Sequence, residues 1–179
     1  SLQIFEARYL DMISRCMKQG TGFGVVTIGE GREVGEAPSR LAMVGCEASV
    51  RDWQQRPNGL LGIRVEGGRR FQVLSVEVQA DQLSVGEIEW FEDLPEQPLT
   101  YEHNDLAALL SVLAEHPMVA ALEMGGEPGG QQDLANQLAY LLPFDTERKL
   151  ELLALPDAQM QLARIQVLLE HLQGELGID

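Results

Sequence analysis

The sequence is poor in cysteine, lysine and aromatic residues. Two of its 179 residues are cysteines, 6% are aromatic, and its only lysines are Lys18 and Lys149. Cys16 and Cys46 lie in apolar surroundings and share no CxxC or Cys/His ligand spacing. We therefore interpret both as free thiols and expect a reducing, cytoplasmic location. Because aromatic residues are scarce, aliphatic side chains must supply most of the buried surface.

Long apolar runs are also lacking. No segment approaches the roughly 20 consecutive apolar residues that a membrane-spanning helix needs, so no membrane partner is expected. Residues 1–10 have neither the basic nor the apolar region of a signal peptide. With 45% hydrophobic residues, the chain can form one large domain or two small ones in water.

Basic residues are absent from a long stretch of the chain. The net charge is −15, from 13 Lys and Arg against 28 Asp and Glu. Residues 71–147 contain 15 acids and no Lys or Arg, which leaves 13 acids to balance the 13 bases elsewhere. An acidic surface repels phosphate backbones, so no nucleic-acid partner is expected. The segment is either a solvated face that aids solubility or a surface that attracts basic partners.

Motifs that commonly carry catalysis are missing as well. The chain has no GxxxxGK[ST] phosphate loop, no GxSxG and no HExxH. Its histidines share no motif and are interpreted as solvated or capping residues: His103, His116 and His171. Residues 20–24 are Gly-rich, but they run from helix to strand, whereas a phosphate loop runs from strand to helix. The sequence therefore predicts no catalytic residue, no metal ligand and no cofactor, and the protein is not expected to be an enzyme.

The first residues predict one helix and one strand. Apolar residues at helical spacing predict a helix over residues 5–19, which Gly20 ends. Phe23–Ile28 is interpreted as a short buried strand, because it has no polar face before Thr27. Gly29–Ser39 is rich in Gly, Glu and Pro, and is predicted to be an exposed loop.

From Leu41 onward, apolar and polar residues alternate with the period of two that strands require. Pro57–Asn58–Gly59 is a strong turn signal, and Gly67–Gly68 predicts a second turn. The alternation slips within Phe71–Val78 and again at Gly86, which predicts a bulge in each of two strands. These features indicate an antiparallel meander that curls into a closed or half-closed barrel.

Beyond Pro98 the period becomes helical. Asn104 or Asp105 is a candidate cap for a helix that ends at His116–Pro117. Three aspartates are predicted to cap three further helices: Asp133, Asp145 and Asp157. The predicted fold class is therefore α+β, with a β-rich subdomain over residues 1–97 and a helical subdomain over residues 98–179.

Several segments, met in order, resemble the N-terminal substrate-binding domain of Lon proteases. Ile4–Leu10 resembles that family's IFEPRY segment, and Gly22–Val26 resembles its Gly-Phe-Gly-Val-Val strand. Val44–Ala48 is similar to its VGT-A strand, with cysteine in place of threonine. Two further likenesses are to its DG-L-I…G--RF hairpin and its EKQ-LLE region: Gly59–Ile63 with Gly68–Phe71, and Glu147–Leu153. Their order and spacing are more specific than any single segment.

One strand of the family has no match in the chain. Family members open with a PLFPL…LFPG strand before the IFE segment, and this strand is expected to lie upstream or to be replaced. Without it, one edge of the sheet would need another cover.

The resemblance implies an N-terminal, antiparallel, six-stranded PUA-like β-pseudobarrel followed by a C-terminal α-helical subdomain. It also implies a non-catalytic, ATP-independent module, without Lon's ATPase or peptidase, that recognises unfolded or degron-bearing protein segments. The implied partners are an unfolded polypeptide and a protease or chaperone acting in trans. The alternative is a PUA-like protein that binds a small molecule or a nucleic acid.

Five residues are candidates for the implied peptide-binding surface: Arg8, Tyr9, Trp53, Arg70 and Phe71. An extended segment would bind there through an apolar groove or by adding a strand to the sheet. Tyr9 and Phe71 could instead be core residues. Arg8 could pair with Glu6 or Asp11, of which Asp11 is better placed on a helix. Trp53, beside a polar turn, is predicted to be the exposed aromatic residue of the set.

Overall fold

The computed structural model describes residues 1–30, 40–124 and 126–175. The chain divides into two compact units, Ser1–Phe91 and Glu92–Asp179. The first unit is β-rich with one helix and the second is helical, which confirms the α+β class. The division lies after Phe91, whereas the sequence predicted a boundary after residue 97. Glu96 and Gln97 belong to the second unit because they hydrogen-bond to one of its helices.

The first unit contains a five-stranded antiparallel sheet and one helix. Its elements are β1 (Leu2–Ile4), α1 (Ala7–Gln19), β2 (Phe23–Glu30), β3 (Arg40–Gln55), β4 (Leu61–Val78) and β5 (Ser84–Trp90). Strands β1, β4, β3 and β2 are neighbours in that order, and β5 also pairs with β4. The described residues thus hold five strands where the resemblance implied six. Of the predicted loop Gly29–Ser39, residues 29 and 30 belong to β2, and residues 31–39 lie outside the described part.

Two glycines form the turns that the sequence predicted. Gly20 ends α1 in the left-handed conformation, with φ of 66°, and its N–H donates to the carbonyl of Cys16. Gly59 has φ of 79° and closes the β3–β4 hairpin, where its N–H donates to the Arg56 carbonyl at 3.0 Å. Glycine suits both positions because it lacks the Cβ that makes a positive φ costly.

The turn predicted at Gly67–Gly68 is wrong, because β4 continues through both residues. Ala48 pairs with Gly67 and Cys46 pairs with Arg70, so two steps along β3 match three steps along β4. The glycine pair is therefore the site of a bulge. A strand bends easily at residues that have no side chain, so a Gly-Gly pair can occur in a bulge as well as in a turn.

A second bulge lies in β4 at Leu74. Val73 pairs with Ile88 and Ser75 pairs with Glu87, so Leu74 has no partner in β5. This confirms the slip predicted within Phe71–Val78.

The slip predicted at Gly86 is wrong. Strand β5 pairs with β4 along its whole length without an extra residue of its own, and Gly86 lies opposite Val76. The apparent slip came from counting Val85 as part of the buried apolar pattern. Val85 is 43% exposed on the other face of the strand, so it does not belong to that pattern.

The second unit is built from helices. After a 3-10 turn at Tyr101–His103, they are α2 (Asn104–Ala114), α3 (Pro117–Ala120), α4 (Gln131–Leu141), α5 (Thr146–Ala154) and α6 (Ala158–Glu175). Their apolar stripes share one core, whose most deeply buried members are Leu110, Leu134, Leu138, Leu152 and Ile165. Burying each such side chain contributes about 1.5–3 kcal/mol, so this core holds the helical unit together.

Two of the three predicted aspartate caps are confirmed. The Asp145 carboxylate accepts the backbone N–H of Arg148 at 2.8 Å, at the start of α5. The Asp157 carboxylate accepts the backbone N–H of Met160 at 2.8 Å, at the start of α6. Each cap satisfies a helix donor that would otherwise lack a partner.

The prediction that Asp133 caps α4 is wrong. The helix begins at Gln131 after Gly130, and its first amides bond to the Glu96 side chain. That carboxylate accepts the N–H of Gln132 at 2.8 Å and the N–H of Asp133 at 3.1 Å. A Cβ on Gly130 would lie 2.5 Å from the Glu96 side chain, so the carboxylate fits only against a glycine.

The start of α2 also differs from the prediction. Neither Asn104 nor Asp105 caps the helix, because the 3-10 turn precedes it. The cap lies further upstream, where the backbone N–H of Thr100 donates to Nδ1 of His103 at 3.0 Å. His116 is the N-cap of α3, and its Nδ1 accepts the backbone N–H of Met118 at 3.2 Å. Of the solvated or capping roles predicted for the histidines, these two have the capping role.

Candidate binding surfaces

Trp53 lies in a row of apolar residues that crosses three strands. Ile63 of β4 pairs with Trp53 of β3 on one side and with Leu2 of β1 on the other. Residues directly opposite each other in antiparallel strands point to the same face. Trp53 is 56% exposed, Leu2 is 40% exposed, and Ile63 is buried. We call Leu2, Ile63 and Trp53 the Trp53 row; it offers an exposed indole and an exposed leucine on a buried base.

Arg8 is buried in the first turn of α1, with 5% of its surface exposed. Its guanidinium donates to the Gln82 carbonyl at 2.9 Å and forms an ion pair with Glu6 at 2.9 Å. The same group lies 4.6 Å from the centre of the Tyr9 ring, and Tyr9 is half-buried. Glu6 precedes the helix, so the expectation that Asp11 is the better partner is wrong. These contacts tie the start of α1 to the β4–β5 turn.

Phe71 is buried in the sheet, with 3% of its surface exposed. Its ring packs where two glycines leave room: a Cβ would come within 3.0 Å of it at Gly24 and within 2.6 Å at Gly45. The edge of Trp90 meets Phe71 with ring centres 6.0 Å apart and planes at 88°. Edge-to-face pairs of this kind add about 0.5–1.5 kcal/mol beyond their burial. Phe71 therefore serves the core, which was the alternative role considered for it.

Two arginines cover the aromatic residues at the end of β5. The Arg69 guanidinium lies 4.9 Å from the Trp90 ring centre and donates to the Phe91 carbonyl at 3.2 Å. The Arg70 guanidinium lies 4.8 Å from the Phe91 ring centre, and Arg70 is half-buried. Such cation–π contacts hold both arginine heads in place at this end of the strand.

The five predicted site residues thus fall into three places. Arg8 contacts Tyr9, Arg70 is the chain neighbour of Phe71, and Trp53 stands apart from both pairs. The strand partner of Trp53 is eight residues from Phe71 along β4, on the order of 26 Å along an extended strand. Of the five, Trp53 alone is classed as exposed.

Sequence reasoning missed two exposed apolar residues of the sheet. Leu2 was not considered because three residues give too short a pattern to predict a strand. Trp90 is 42% exposed. Its signal was available, since it alternates with Ile88 in a strand whose intervening residues are acidic.

The acidic segment keeps its charge largely uncompensated. Among the described residues, no acid from Glu77 to Glu147 forms a salt bridge; the ion pairs involve Glu6, Glu66 and Glu151. Exposed acids without a basic partner attract cationic groups from solution, in each of the two units separately.

Cys46 lies in β3 opposite the Gly67–Gly68 bulge of β4, and its thiol donates to the Gly68 carbonyl at 3.4 Å. Burial raises the pKa of this thiol, and the opposing effects of the Gly68 bond and the nearby Arg70 are smaller. A raised pKa keeps the thiol protonated and poorly nucleophilic at neutral pH. Cys16 and Cys46 are both free.

The chain matches one protein family over most of its length. Residues 1–171 match the model of the ATP-dependent protease La (LON) substrate-binding domain. The match covers nearly the whole chain, so the chain belongs to the Lon substrate-binding domain family.

Solved structures agree with this assignment. A Lon N-terminal domain protein from Xanthomonas campestris is 30% identical, with a TM-score of 0.73, over 93% of this chain and 86% of that one. The N-terminal domain of Lon protease from the Mycobacterium avium complex is 20% identical, with a TM-score of 0.50, over 81% of this chain and 88% of that one. The second likeness concerns the fold alone.

The described residues contain neither a membrane-spanning helix nor a cluster of metal-ligating side chains. None of the helices there combines the length and the apolar character that crossing a membrane requires. No group of three or more His, Cys, Asp or Glu side chains in the described ranges is arranged to hold a metal ion.

Proposed function

We propose that the chain is a non-catalytic recognition module that binds unfolded or degron-bearing segments of other proteins. Membership of the substrate-binding domain family carries this proposal. A module of this kind needs a surface that accepts many sequences, and apolar contacts with backbone pairing meet that need. A protease or chaperone acting in trans, and a cytoplasmic location, belong to the same proposal; the two free cysteines support a reducing compartment.

The Trp53 row is the proposed contact surface. Tryptophan dominates binding energy at many interfaces because it buries a large area at little cost in side-chain entropy. Trp53 lies in strand β3, and its backbone N–H donates to the Asp52 carboxylate at 2.9 Å, so its backbone is already ordered before binding. Leu2, exposed in the same row, extends the apolar surface across the sheet.

The other four predicted residues lie apart from the Trp53 row and are proposed to act in two other ways. Arg8 and Phe71 are buried and would act through the residues they hold in place. Tyr9 and Arg70 are half-buried, so each has an exposed part that can contact a bound segment.

A binding titration tests the proposal. The intact protein is titrated with a reduced and alkylated, permanently unfolded protein and, in parallel, with the same protein in its native fold. We expect measurable affinity for the unfolded form only. Equal binding to both forms, or binding to neither, would refute the proposed function.

Paired variants then locate the contact. Trp53→Ala should weaken binding to the unfolded protein by about tenfold to thirtyfold, as for a hot-spot residue of about 2 kcal/mol. Tyr101→Ala is the matched control, because Tyr101 is an 81% exposed aromatic residue in the other unit. If the two variants bind equally well, the Trp53 row is not the contact surface.

A further inference from the structure

Among the described residues, strand β5 has a backbone partner on one side only. Within the part of the chain that the structure describes, β5 pairs with β4 alone. An edge strand of this kind presents unpaired N–H and C=O groups to which another chain can add a strand. What could add there depends on which groups point outward and on which side chains flank them.

Every second residue of β5 directs its backbone to the free side. The N–H of Phe91 donates to the Arg70 carbonyl at 2.9 Å, and the Leu83 carbonyl accepts the N–H of Gln79 at 2.9 Å. Both ends of the strand therefore bond to β4 through odd-numbered residues. Because bonding direction alternates along a strand and the bulge lies in β4, the residues that face outward are Ser84, Gly86, Ile88 and Trp90.

The side chains of these outward-bonding residues belong to the apolar face of the hairpin. Trp90 lies opposite Phe71 and Ile88 lies opposite Val73, and both β4 residues are buried. Gly86 lies opposite Val76, which is 46% exposed. The apolar face therefore reaches the free edge and is not fully covered there.

The opposite face of the same hairpin is acidic. Glu87 and Glu89 alternate with the apolar residues, are exposed, and form no ion pair with any described residue. Glu77 of β4 lies on the same face, opposite Val85. Arg70 lies on this face at the end of β5, with its guanidinium 4.8 Å from the Phe91 ring centre, so the acidic character belongs to Glu77, Glu87 and Glu89.

We infer that the free edge of β5 binds an extended segment in which apolar residues alternate with Lys or Arg, by adding it as a strand. The side chains of an added strand alternate between the two faces in step with those of β5. Apolar residues would continue the face of Ile88, and basic residues would meet Glu87 and Glu89. This inference rests on the proposed function, and it names the class of segment and the edge that binds it.

Three synthetic peptides of seven residues, the length of β5, test the inference on the intact protein. One alternates valine with lysine, one has glutamate in place of lysine, and one has the same valines and lysines in two blocks. We expect the alternating basic peptide to bind at least about tenfold more tightly than either of the others, and less tightly as salt is added.

Amide hydrogen exchange identifies the edge. In the free protein, the amides of Ser84, Gly86, Ile88 and Trp90 should exchange faster than those of Val85, Glu87 and Glu89, which bond to β4. The alternating basic peptide should protect the even-numbered amides only. Methylating the peptide nitrogens that face β5 should abolish this protection.

Charge reversal supplies a matched pair of variants. Glu87→Lys with Glu89→Lys should weaken binding of the alternating basic peptide at least about tenfold. Glu92→Lys with Asp93→Lys changes the net charge equally outside β5, and should have a much smaller effect. Far-UV circular dichroism of both variants checks that the fold is intact.

The outcomes separate the two proposals. Binding of the unfolded protein without protection of β5 amides, or with equal effects of the two variant pairs, overturns the inference and leaves the proposed function standing. Absence of binding to the unfolded protein and to all three peptides overturns both. Selective, alternating protection that is lost in the β5 variant supports both.

Discussion

Replacing Gly45 by alanine tests whether Phe71 needs the space that glycine leaves in the sheet. A Cβ at residue 45 would lie 2.6 Å from the Phe71 ring, from the Val25 carbonyl and from the Val26 side chain. At Gly24, the three atoms nearest to an added Cβ all belong to the Phe71 ring, the closest at 3.0 Å. Overpacking costs typically 1–3 kcal/mol, so we expect Gly45→Ala to destabilise the first unit by about 3 kcal/mol and Gly24→Ala by about 1 kcal/mol.

Gly67→Ala is the control, because a Cβ there would make only an ordinary contact of 3.7 Å with the Cys46 sulfur. Removing a glycine also restricts the unfolded chain, so this variant should be unchanged or up to about 1 kcal/mol more stable. Both tryptophans lie in the first unit, so their fluorescence during urea unfolding reports that unit alone.

Shortening Phe71 should distinguish the effect of an added Cβ at Gly24 from its effect at Gly45. Phe71→Leu alone should cost about 2 kcal/mol through lost burial. The double variant Gly24→Ala with Phe71→Leu should lose about 1 kcal/mol less stability than the sum of the two single variants. The smaller leucine removes the close contact between the new Cβ and the Phe71 ring. It should rescue Gly45→Ala less, since the Val25 carbonyl cannot move aside. Unfolding of Gly45→Ala at the same urea concentration as Gly67→Ala, or equal rescue of both sites by Phe71→Leu, would show that Phe71 does not need this space.

Three further predictions concern other contacts. Glu96→Gln should destabilise the helical unit by about 1 kcal/mol, because the start of α4 loses its carboxylate; thermal unfolding followed by circular dichroism measures this. Gln161→Leu should cost about 1 kcal/mol in the same assay, because the Leu152 carbonyl would keep the N–H of Leu155 at 3.2 Å but lose the buried amide that donates to it at 2.9 Å. The stability of the first unit should fall as pH rises above 9.0, the ordinary pKa of a thiol, since burial raises the Cys46 pKa and the folded state holds its proton longer than the unfolded state.

Each of these has its own control. Glu127→Gln removes the same charge from an exposed loop position and should leave the melting temperature unchanged. Gln166→Leu makes the same change as Gln161→Leu on the exposed side of α6, so equal losses would contradict the role of the buried amide. In the Cys46→Ala variant the alkaline loss of stability should shrink, and an identical pH profile would show that another group causes it.

Features whose bonding partners lie within a few residues could be predicted from the sequence alone. Gly20 ends α1 by a bond to Cys16, and Asp145 caps α5 by a bond to Arg148. The Pro57–Asn58–Gly59 turn closes through Arg56 and Leu60 in the same way. Such signals need no knowledge of the rest of the fold, because donor and acceptor are fixed by the local backbone.

Family kinship was also visible in the sequence, because order and spacing of motifs survive where single residues vary. The order of strands, then helices, followed from the change in apolar period from two to the helical value, and the structure has the same order.

Contacts between residues far apart in the chain could be seen only in the folded structure. Glu96 caps a helix 36 residues away, and Arg8 bonds to Gln82 across 74 residues. A Gly-Gly pair occurs both in turns and in bulges, so the local sequence at Gly67 and Gly68 does not distinguish the two. Pairing with β3 makes this pair a bulge. Exposure of Trp53 and burial of Phe71 likewise depend on which surfaces the folded sheet covers. These outcomes are set by packing between strands and helices that the local sequence does not specify.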